Sequence, residues 1–454
     1  MKALLHIYRI PLLMVAASLV FYWSFAYQLE RSDFIKLFSL YAALFFLFFK
    51  LVQLNAGNFK FLLWTGIALR AVFIFSIPNL SQDFYRFFWD GRLLAQGINP
   101  YLSTPDSFAS LGMTGIHQAQ TLIDGMGTLN ASHYSNYPPL SQGIYALAAL
   151  LPGKSILGSV IVLRLVLIAA DIGTVLFGKK LLEKLKLPAH HIFWFFLNPF
   201  IIIELTGNLH FEGVMVFFLV GALYFLATKK WLWSGIFLGL SVATKLLPLL
   251  FLPVLLPYFI AQFPTKAVAL KKLVVYYITV LATVLVLFAP FLSEAFLQNF
   301  GKTLSLWFVT FEFNASVYYL IRWMGYETVG WNIIGTVGTI LPVITLLFVL
   351  YLSLFRKAAS IRQLAVLMLW GMCFYLLLST TVHPWYLTIP LVLSLFTRYR
   401  FMLVWSFMIV LSYTAYGPGG FQENLWLVAL EYVVVLGYFV WEVGVKKRNT
   451  ALEG

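Results

Sequence analysis

The residues best suited to chemistry in this sequence lie in one short segment, SQDFYRFFWDGRLLAQGINPYLSTP, at positions 81–105. The segment follows an apolar run and combines the carboxylates Asp83 and Asp90 with Arg92 and Tyr101. A carboxylate held at a membrane surface among aromatic rings is partly desolvated, which makes it a stronger base. We therefore predict a catalytic role for Asp83, with Asp90 as the second candidate.

Further polar residues stand in turns between other apolar runs, in ELTGNLHFEG, ATKLLPLLFLP and STTVHPWYL. If basic loops mark one side of a membrane, these turns all fall on the opposite side. Their side chains could then line one cavity with the first segment. The predicted substrate-binding residues are Arg92, Tyr101, Tyr137, Asn208, His210, Glu212, Lys245, His383, Trp385 and Tyr386.

Each of these residues also has a purely structural interpretation. Asp83 and Asp90 could be solvated loop carboxylates, and Lys245 could extend its ammonium group to the membrane interface. His210, Glu212 and His383 could be metal ligands, but a single His-x-Glu supplies only two donors, so we do not predict a metal site. Three charged residues fall within apolar runs, where we expect helix-to-helix ion pairing: Arg70, Arg164 and Asp171.

The composition indicates which elements must position these residues. Of 454 residues, 61% are hydrophobic and 11% are charged, and the mean hydropathy is +0.88. A soluble domain is about 45–50% apolar and roughly 25% charged. We therefore predict an all-α polytopic membrane protein with a single integral membrane domain over residues 1–454. The lone Cys373 excludes a framework of intrachain disulfides.

Apolar runs predict up to fourteen membrane spans, and three of them are short for a full crossing, so the expected number is 12 to 14. The predicted spans are 9–27, 34–53, 60–78, 155–178, 190–206, 209–228, 231–244, 246–261, 272–292, 331–355, 361–380, 384–397, 401–416 and 425–444.

The distribution of lysine and arginine predicts the orientation of the spans. Most of the 31 basic residues fall in alternate loops, which places both termini in the cytoplasm. Two long segments, 79–154 and 293–330, are then outside, and we expect residues 137–153 to form an interfacial or re-entrant helix. The net charge of +14 is thereby explained by topology, so we predict no nucleic-acid partner.

The ordered motifs resemble those of the GT-C superfamily of polytopic glycosyltransferases. They are DFYRFFWDGRLLAQGINPY, YPPL, NPFIIIELTGNLHFEG, KLLPLLFLP and HPWYL. The chain is similar in particular to the mannosyltransferase branch that includes the catalytic subunit of GPI mannosyltransferase I and bacterial glycosyltransferase family 87. This resemblance implies a GT-C-like fold whose long first outer loop carries interfacial helices.

The resemblance also implies an activity. The expected reaction is an inverting transfer of a sugar, mannose foremost, from a polyprenyl-phosphate donor to a glycan, lipid or protein acceptor at the outer leaflet. The expected location is a bacterial inner membrane, with the active site facing the periplasm or exterior. Membrane lipid is an implied partner, because the polyprenyl tail needs an apolar groove.

Asp83 matches the family's catalytic acidic residue. Several relatives carry Asp-x-Asp here, whereas this chain has Ser81 two positions before Asp83. We therefore expect no cofactor, and a divalent cation is possible but not favoured. The phosphate that leaves needs fixed positive charge, for which Arg92, Lys245 and His383 are the candidates.

Two other classes of protein fit the same composition. A transporter or flippase of lipid-linked sugars would also have many spans with charged residues inside the membrane. Such proteins favour binding sites at the membrane midplane, whereas the polar set here lies on one side, which favours an enzyme. A non-catalytic assembly subunit is the third alternative.

Overall fold

The computed structural model of the protein describes residues 9–110, 115–151 and 155–452, without the side chains of residues 109 and 445–452. The chain is 76% helical, with almost no sheet in its described part. Within it, one short hairpin pairs strand β1 (Tyr416–Gly417) with strand β2 (Gly420–Phe421) in antiparallel register. The predicted all-α fold class is therefore confirmed.

The first half of the described chain contains eight α-helices before a broken region. They are α1 (Arg9–Gln28), α2 (Phe34–Leu54), α3 (Phe59–Ala71), α4 (Asp83–Ala95), α5 (Pro105–Ser110), α6 (Ala119–Ala131), α7 (Pro139–Leu150) and α8 (Ile156–Lys184). The broken region comprises a 3₁₀ turn (Ala189–Ile192), α9 (Phe193–Phe196), α10 (Pro199–Ile201) and a π-helical turn (Ile202–Gly207).

The second half alternates long helices with short ones that end in 3₁₀ turns. The α-helices are α11 (Glu212–Ala227), α12 (Trp231–Thr244), α13 (Leu255–Gln262), α14 (Lys266–Phe288), α15 (Glu294–Val309), α16 (Val317–Val329), α17 (Ile334–Phe355), α18 (Ile361–Leu378), α19 (Thr388–Ser394), α20 (Phe401–Met408) and α21 (Leu425–Leu452). The 3₁₀ turns are Leu247–Phe251, Ala289–Phe291, Pro384–Leu387 and Ile409–Ala415.

Seven helices in the described chain are long and apolar enough to cross a membrane: α1, α2, α8, α14, α17, α18 and α21. An eighth crossing results if the two halves of the broken region, which bend by 52°, form one span. Several other predicted spans are shorter helices that proline or polar turns interrupt, and about 20 residues are needed to cross the hydrocarbon core. The count of 12 to 14 spans stays a prediction.

The long helices carry the surface expected of a multi-pass membrane protein. Ile278 on α14 and Leu347 on α17 are each more than half exposed, as are Val433 on α21 and Phe355 at the end of α17. Rows of exposed large apolar side chains are unfavourable in water. Such helices need lipid around them.

The predicted outer segment 79–154 packs against α8 and the start of α11 in one hydrophobic cluster, with Phe87, Trp89 and Tyr145 among its buried residues. Helices α4 and α7 meet here at backbone distance, since a Cβ atom added to Gly91 would lie 2.3 Å from the carbonyl oxygen of Tyr145. Helix α7 occurs where the interfacial helix was expected. Residues 111–114 and 152–154 of this segment lie outside the described residues.

The three mid-span charges form two different buried arrangements. Arg70 Nε lies 2.8 Å from Asp171 Oδ2, and both side chains are fully buried, so the predicted helix-to-helix pair is confirmed for them. Arg164 instead donates to backbone carbonyls, including those of Ser76 at 2.7 Å and Thr206 at 2.8 Å. Ion pairing is therefore the wrong interpretation of Arg164.

The carbonyl groups around Arg164 come from two turns, one before α4 and one before α11. Its guanidinium also donates to the carbonyls of Phe73, Ile74 and Gly207. Carbonyls at the ends of helices lack partners within the helix, and one buried cation satisfies several of them here. Arg164 thereby ties the turn before α4 to the turn before α11.

Candidate active site

Asp83 is the first residue of α4, at the point where the outer segment begins. An acidic residue in the first turn of a helix is stabilised by the helix dipole. Phe84, Phe87 and Phe88 of the same helix are buried, whereas the side chain of Asp83 is partly accessible. The aromatic residues thus anchor the helix and leave the carboxylate facing open space.

That open space is a cavity of about 760 Å³. Its lining includes Asp83 from α4, Glu212 from the start of α11, Lys245 from the end of α12 and His383 from the loop after α18. A fifth group, Arg31, comes from the loop between α1 and α2. Tyr137, Trp385 and Tyr386 of the predicted set also line it.

Lys245 and Glu212 form an ion pair on the cavity wall. The ammonium nitrogen of Lys245 lies 3.1 Å from Glu212 Oε1 and 5.1 Å from the centre of the Tyr137 ring. Helix α12 ends one residue earlier, and the carbonyl of Thr244 accepts a hydrogen bond from Ser141 of α7 at 2.8 Å. Neighbouring residues therefore hold both the backbone just before Lys245 and the ammonium group at the end of its side chain.

Three aromatic rings stack at one side of the cavity. The Trp385 ring stacks on His383, at 4.5 Å between centroids, and on His210, at 3.6 Å. The planes are within 20° of parallel. His383 and Trp385 line the cavity, whereas His210 lies behind them and is 1% exposed.

The pKa of Asp83 is raised above its usual range. Burial is the main cause, and the positive charge of Lys245 opposes it. The negative charge of Glu212 raises the pKa further, while Arg31 and a hydrogen bond from the side chain of Asn130 lower it. A carboxylate with a raised pKa is a better proton acceptor than an ordinary aspartate.

The pKa of His383 moves in the opposite direction, to about 3. Burial is the largest cause, and the nearby cations Arg31 and Lys245 add to it. His383 is therefore neutral near pH 7. As a neutral ring it can donate a hydrogen bond to a phosphate, but it cannot supply the positive charge for which it was considered.

Arg31 is a charged cavity residue that the sequence analysis did not single out. Its Nη1 donates to Gln82 Oε1 at 3.3 Å, and its guanidinium carbon lies 3.3 Å above the centre of the Tyr416 ring. In the sequence it stands in LERSDF and resembles any charged loop residue. The predicted topology places its loop, between the first two spans, on the same side of the membrane as Asp83, and this is the signal that could have identified it.

Asp90 is fully buried and does not line the cavity. Its carboxylate is 2.8 Å from Arg86 Nε and accepts further hydrogen bonds from Gln142 at 3.0 Å and from Ser135. Both oxygens are thus engaged by protein groups. This geometry gives Asp90 a positioning role, since Arg86 itself lines the cavity.

Arg92 and Tyr101 also lie away from the cavity lining. The guanidinium of Arg92 donates to the carbonyl of His117 and to Gln118 Oε1 at 3.0 Å. The hydroxyl of Tyr101 donates to the carbonyl of Tyr137 at 2.6 Å. These contacts hold the outer segment together, and the predicted contact of Arg92 with the leaving phosphate has no support from its position.

Asn208 and His210 are buried behind the cavity wall. Asn208 accepts a hydrogen bond from the backbone N–H of Leu80 at 3.3 Å, and its amide lies 3.4 Å from Glu204 Oε2. These contacts link the turn before α11 to the turn before α4. Both residues therefore support cavity residues from behind.

Several buried polar atoms around the cavity have no hydrogen-bond partner within the described residues. They include His133 Nε2, Trp307 Nε1 and His383 Nδ1, and all three residues line the cavity. Buried polar groups are nearly always hydrogen-bonded in folded proteins. A polar ligand in the cavity would satisfy them. His133 and Trp307 had no signal in the sequence beyond their place in the outer segments.

An apolar crevice of about 50 Å³ adjoins the cavity. The two share Trp307, Phe308 and Tyr375 as walls. The crevice continues between α15 and α17, where Leu341 and Pro342 line it. Its far wall belongs to α17, a helix with exposed apolar side chains such as Leu347.

Within the described residues, no group of three or more His, Cys, Asp and Glu side chains is arranged to hold a metal ion. Glu212 faces Lys245, and His210 stacks on Trp385. Activity without a divalent cation nevertheless stays a prediction.

Comparison with known proteins yields one family. A model of the MptA_B family, described as alpha-(1->6)-mannopyranosyltransferase, N-terminal domain, matches residues 24–261, just over half of the chain. No curated protein matches the chain. The matched region contains Arg31, Asp83, Glu212 and Lys245, and thus most of the charged residues of the cavity.

Proposed function

Since the chain belongs to the alpha-(1->6)-mannopyranosyltransferase family, in the family-87-like branch of the GT-C glycosyltransferases, we propose that it transfers mannose from polyprenyl-phosphate-mannose to an acceptor hydroxyl with inversion. One observation carries this proposal: a carboxylate with a raised pKa, Asp83, shares a cavity with the cations Arg31 and Lys245. A base and fixed positive charge are the two requirements of the reaction.

Asp83 is the general base of the proposed reaction. The acceptor oxygen attacks C1 of mannose while its proton passes to the carboxylate of Asp83. Attack from the face opposite the phosphate breaks the bond between C1 and the phosphate oxygen, so the configuration inverts. The electron pair of that bond goes to the departing polyprenyl phosphate, and the charges of the reaction balance.

Lys245 and Arg31 stabilise the negative charge that builds on the leaving phosphate. Both line the cavity, and both act electrostatically on Asp83 and His383. Fixed cations in a site with little water stabilise developing charge without reorganising. The neutral ring of His383 and the indole N–H of Trp307 are additional hydrogen-bond donors on the same wall.

The aromatic wall binds sugar. Trp385 and Tyr386 line the cavity beside His383, and the flat apolar face of a sugar ring packs well on such side chains. The stack on His210 holds Trp385 rigidly from behind. The first isoprene unit of the donor lies against the crevice between α15 and α17, because Leu341 and Pro342 make its wall apolar and it shares residues with the cavity.

The family name gives the expected acceptor chemistry. An α-(1→6) linkage requires the primary hydroxyl at C6 of a mannose residue, so we propose an α-mannoside acceptor at the outer leaflet. The raised pKa of Asp83 suits an alcohol of this kind, which must lose its proton as it attacks.

A transfer assay tests the proposal directly. The purified protein in detergent is incubated with radiolabelled polyprenyl-phosphate-mannose and an alkyl α-mannopyranoside, and the product is analysed for its linkage. We expect an α-(1→6)-linked disaccharide. Transfer to another hydroxyl would overturn the acceptor assignment, and no transfer from this donor to any α-mannoside would overturn the function.

The same assay separates the enzyme from a transporter of lipid-linked sugars. Detergent removes the second compartment, so a transporter would leave the donor unchanged. The location of the charged residues at one end of the long helices also favours the enzyme, because transport sites usually lie near the membrane midplane.

A further inference from the structure

A second polar pocket of about 280 Å³ lies far from the cavity described above. Three arginines line it, Arg362, Arg398 and Arg400, together with Ser394 and Thr397. Its volume is close to the roughly 300 Å³ at which small-molecule sites begin. We call it the basic pocket.

The basic pocket lies at the opposite end of the helices from the active-site cavity. Arg362 is the second residue of α18, whereas Tyr375 near its end lines the cavity. Thirteen residues of α-helix separate them, which corresponds to roughly 20 Å along the helix axis. The two pockets therefore face different surfaces of the membrane.

No carboxylate is among the described residues that line the basic pocket. The nearby carboxylate of Glu442 accepts hydrogen bonds from the backbone N–H groups of Arg400, at 2.8 Å, and of Phe401, at 3.1 Å. It thereby caps the start of α20. All three arginines are exposed residues, and the described lining of the space that they share contains no carboxylate.

An apolar cavity of about 250 Å³ lies further along α18 than this pocket, and part of its wall, including Leu436, is exposed at the surface of the helices. All the residues that line it are apolar, among them Leu369, Cys373 and Phe401. Leu369 and Cys373 follow Arg362 by seven and eleven residues, close to two and three turns, so they share its face of α18. Phe401 follows directly on Arg400.

Tyr399 joins the two spaces. It lines the basic pocket, and its ring contacts Trp370 and Phe401 of the apolar cavity, with centroids at 5.8 Å and 6.4 Å. The combined site is positive at the end of the helices and apolar roughly 10 to 16 Å further in. A positive end followed by an apolar region is the arrangement that would bind a phospholipid, which has an anionic headgroup and acyl chains.

We propose that this site binds an anionic phospholipid, with the headgroup phosphate among Arg362, Arg398 and Arg400 and one acyl chain in the apolar cavity. Guanidinium groups recognise phosphate through paired N–H donors, and basic pockets between membrane helices bind such headgroups. The proposal is independent of the mannosyltransferase function, because it shares no residue with the active-site cavity.

The test compares lipids and variants in delipidated detergent solution. Phosphatidylglycerol, phosphatidylcholine and inorganic phosphate are added separately, and the Tm and the number of lipids retained in native mass spectrometry are measured. We expect phosphatidylglycerol to raise the Tm and to be retained, and phosphatidylcholine to do neither. Equal effects of the two lipids would overturn the proposal.

The double variant R398Q/R400Q should bind phosphatidylglycerol roughly 100-fold more weakly, since each charge-assisted hydrogen bond to the phosphate contributes about tenfold. The matched control is K229Q/K230Q, which removes two exposed charges from the turn after α11, at the same end of the helices. Equal weakening in both variants would mean that only general surface charge attracts the lipid, which would overturn the proposal.

Two further measurements separate the sources of phosphate and guard against misfolding. If inorganic phosphate alone raises the Tm, and R398Q/R400Q abolishes that rise, the ligand is a free anion and the lipid assignment is overturned.

C373F fills the apolar cavity from one wall and leaves the arginines in place, so it should lower lipid retention. Unchanged retention in folded C373F would overturn the placement of the acyl chain. The transfer assay on each variant reports whether the protein is folded.

Discussion

Asp83 is the residue on which the proposed chemistry depends. Its carboxylate faces the cavity from the first turn of α4, and its raised pKa follows mainly from burial. Asparagine at this position keeps the size and the hydrogen bonding but cannot accept a proton.

We therefore expect D83N to lower the turnover number by about 10² to 10⁴, the usual contribution of general acid–base catalysis. The Kd of the donor should change much less, because the lost interaction belongs to the transition state. Single-turnover kinetics and a separate binding assay check both values.

D90N is the matched control, seven residues further along the same helix. Breaking the buried pair with Arg86 should cost about 3–5 kcal/mol of stability, so we expect a lower Tm and less folded protein. Turnover per folded molecule should remain much closer to that of the wild type. If folded D90N loses its turnover while D83N keeps it, Asp90 is the base.

The pH dependence of turnover provides a second test of Asp83. The base must be deprotonated, so the rate should fall as the pH drops through its pKa, which lies above the 3.8 of an ordinary aspartate. E212Q removes a negative charge that raises this pKa, and the acid limb of kcat/KM should then move to lower pH. A limb that stays in place or moves to higher pH would contradict the assignment.

Ser81 is the residue that bears on metal dependence. Because a hydroxyl stands where several relatives have a carboxylate, we expect the transfer rate to be unchanged in EDTA. The measurement is the transfer assay with EDTA, followed by addition of magnesium or manganese. Complete loss in EDTA with recovery in metal would refute this prediction and would make Glu212 and His210 the first ligands to test.

At the scale of elements, the backbone contact between α4 and α7 determines where Asp83 and Tyr137 stand. A methyl group at Gly91 would meet the carbonyl oxygen of Tyr145, which belongs to the backbone and cannot move aside alone. We expect G91A to lower the Tm, with a cost of about 1–3 kcal/mol typical of overpacking, and to lower kcat/KM by moving α4.

G143A is the control for this contact. Gly143 lies on α7, four residues after Pro139, and a Cβ atom there would have no neighbour within 4 Å. Replacing a helical glycine with alanine where there is space is neutral or stabilises by up to about 1 kcal/mol. Thermal unfolding of both variants measures the difference, and equal losses would show that the α4–α7 contact is not the cause.

The two turns held by Arg164 are a second determinant at this scale. They precede α4 and α11, which carry Asp83 and Glu212. One guanidinium therefore links the two turns that lead to cavity residues. The charge pattern in the sequence concealed this role, because a mid-span arginine usually pairs with an acid.

At the scale of the whole molecule, the orientation in the membrane remains to be tested. Ser107 is exposed in the outer segment, and Lys230 is exposed in the turn after α11. Single cysteines at these positions should react with a membrane-impermeant reagent from outside and from inside, respectively. The native Cys373 is buried, so its background should be small. The reverse pattern would overturn the outward-facing active site.

The long helices, the acidic residue at the start of the first outer segment and the glycosyltransferase resemblance could all be recognised in the sequence. Apolar runs and basic loops act locally, so they predict helices such as α1, α2 and α17 within a few residues. The family match over residues 24–261 agrees with the resemblance. The position of Asp83 followed from the end of an apolar run and needed no knowledge of tertiary contacts.

Only the tertiary structure decided which polar residues share the cavity. Arg31 and His133 line it, whereas Arg92 and Tyr101 turn to backbone carbonyls within the outer segment. A sequence predicts how far along a helix a residue lies, but the direction of its side chain depends on which distant segment packs against it. His383 loses its positive charge for the same reason, since its burial and its neighbouring cations come from contacts remote in the chain.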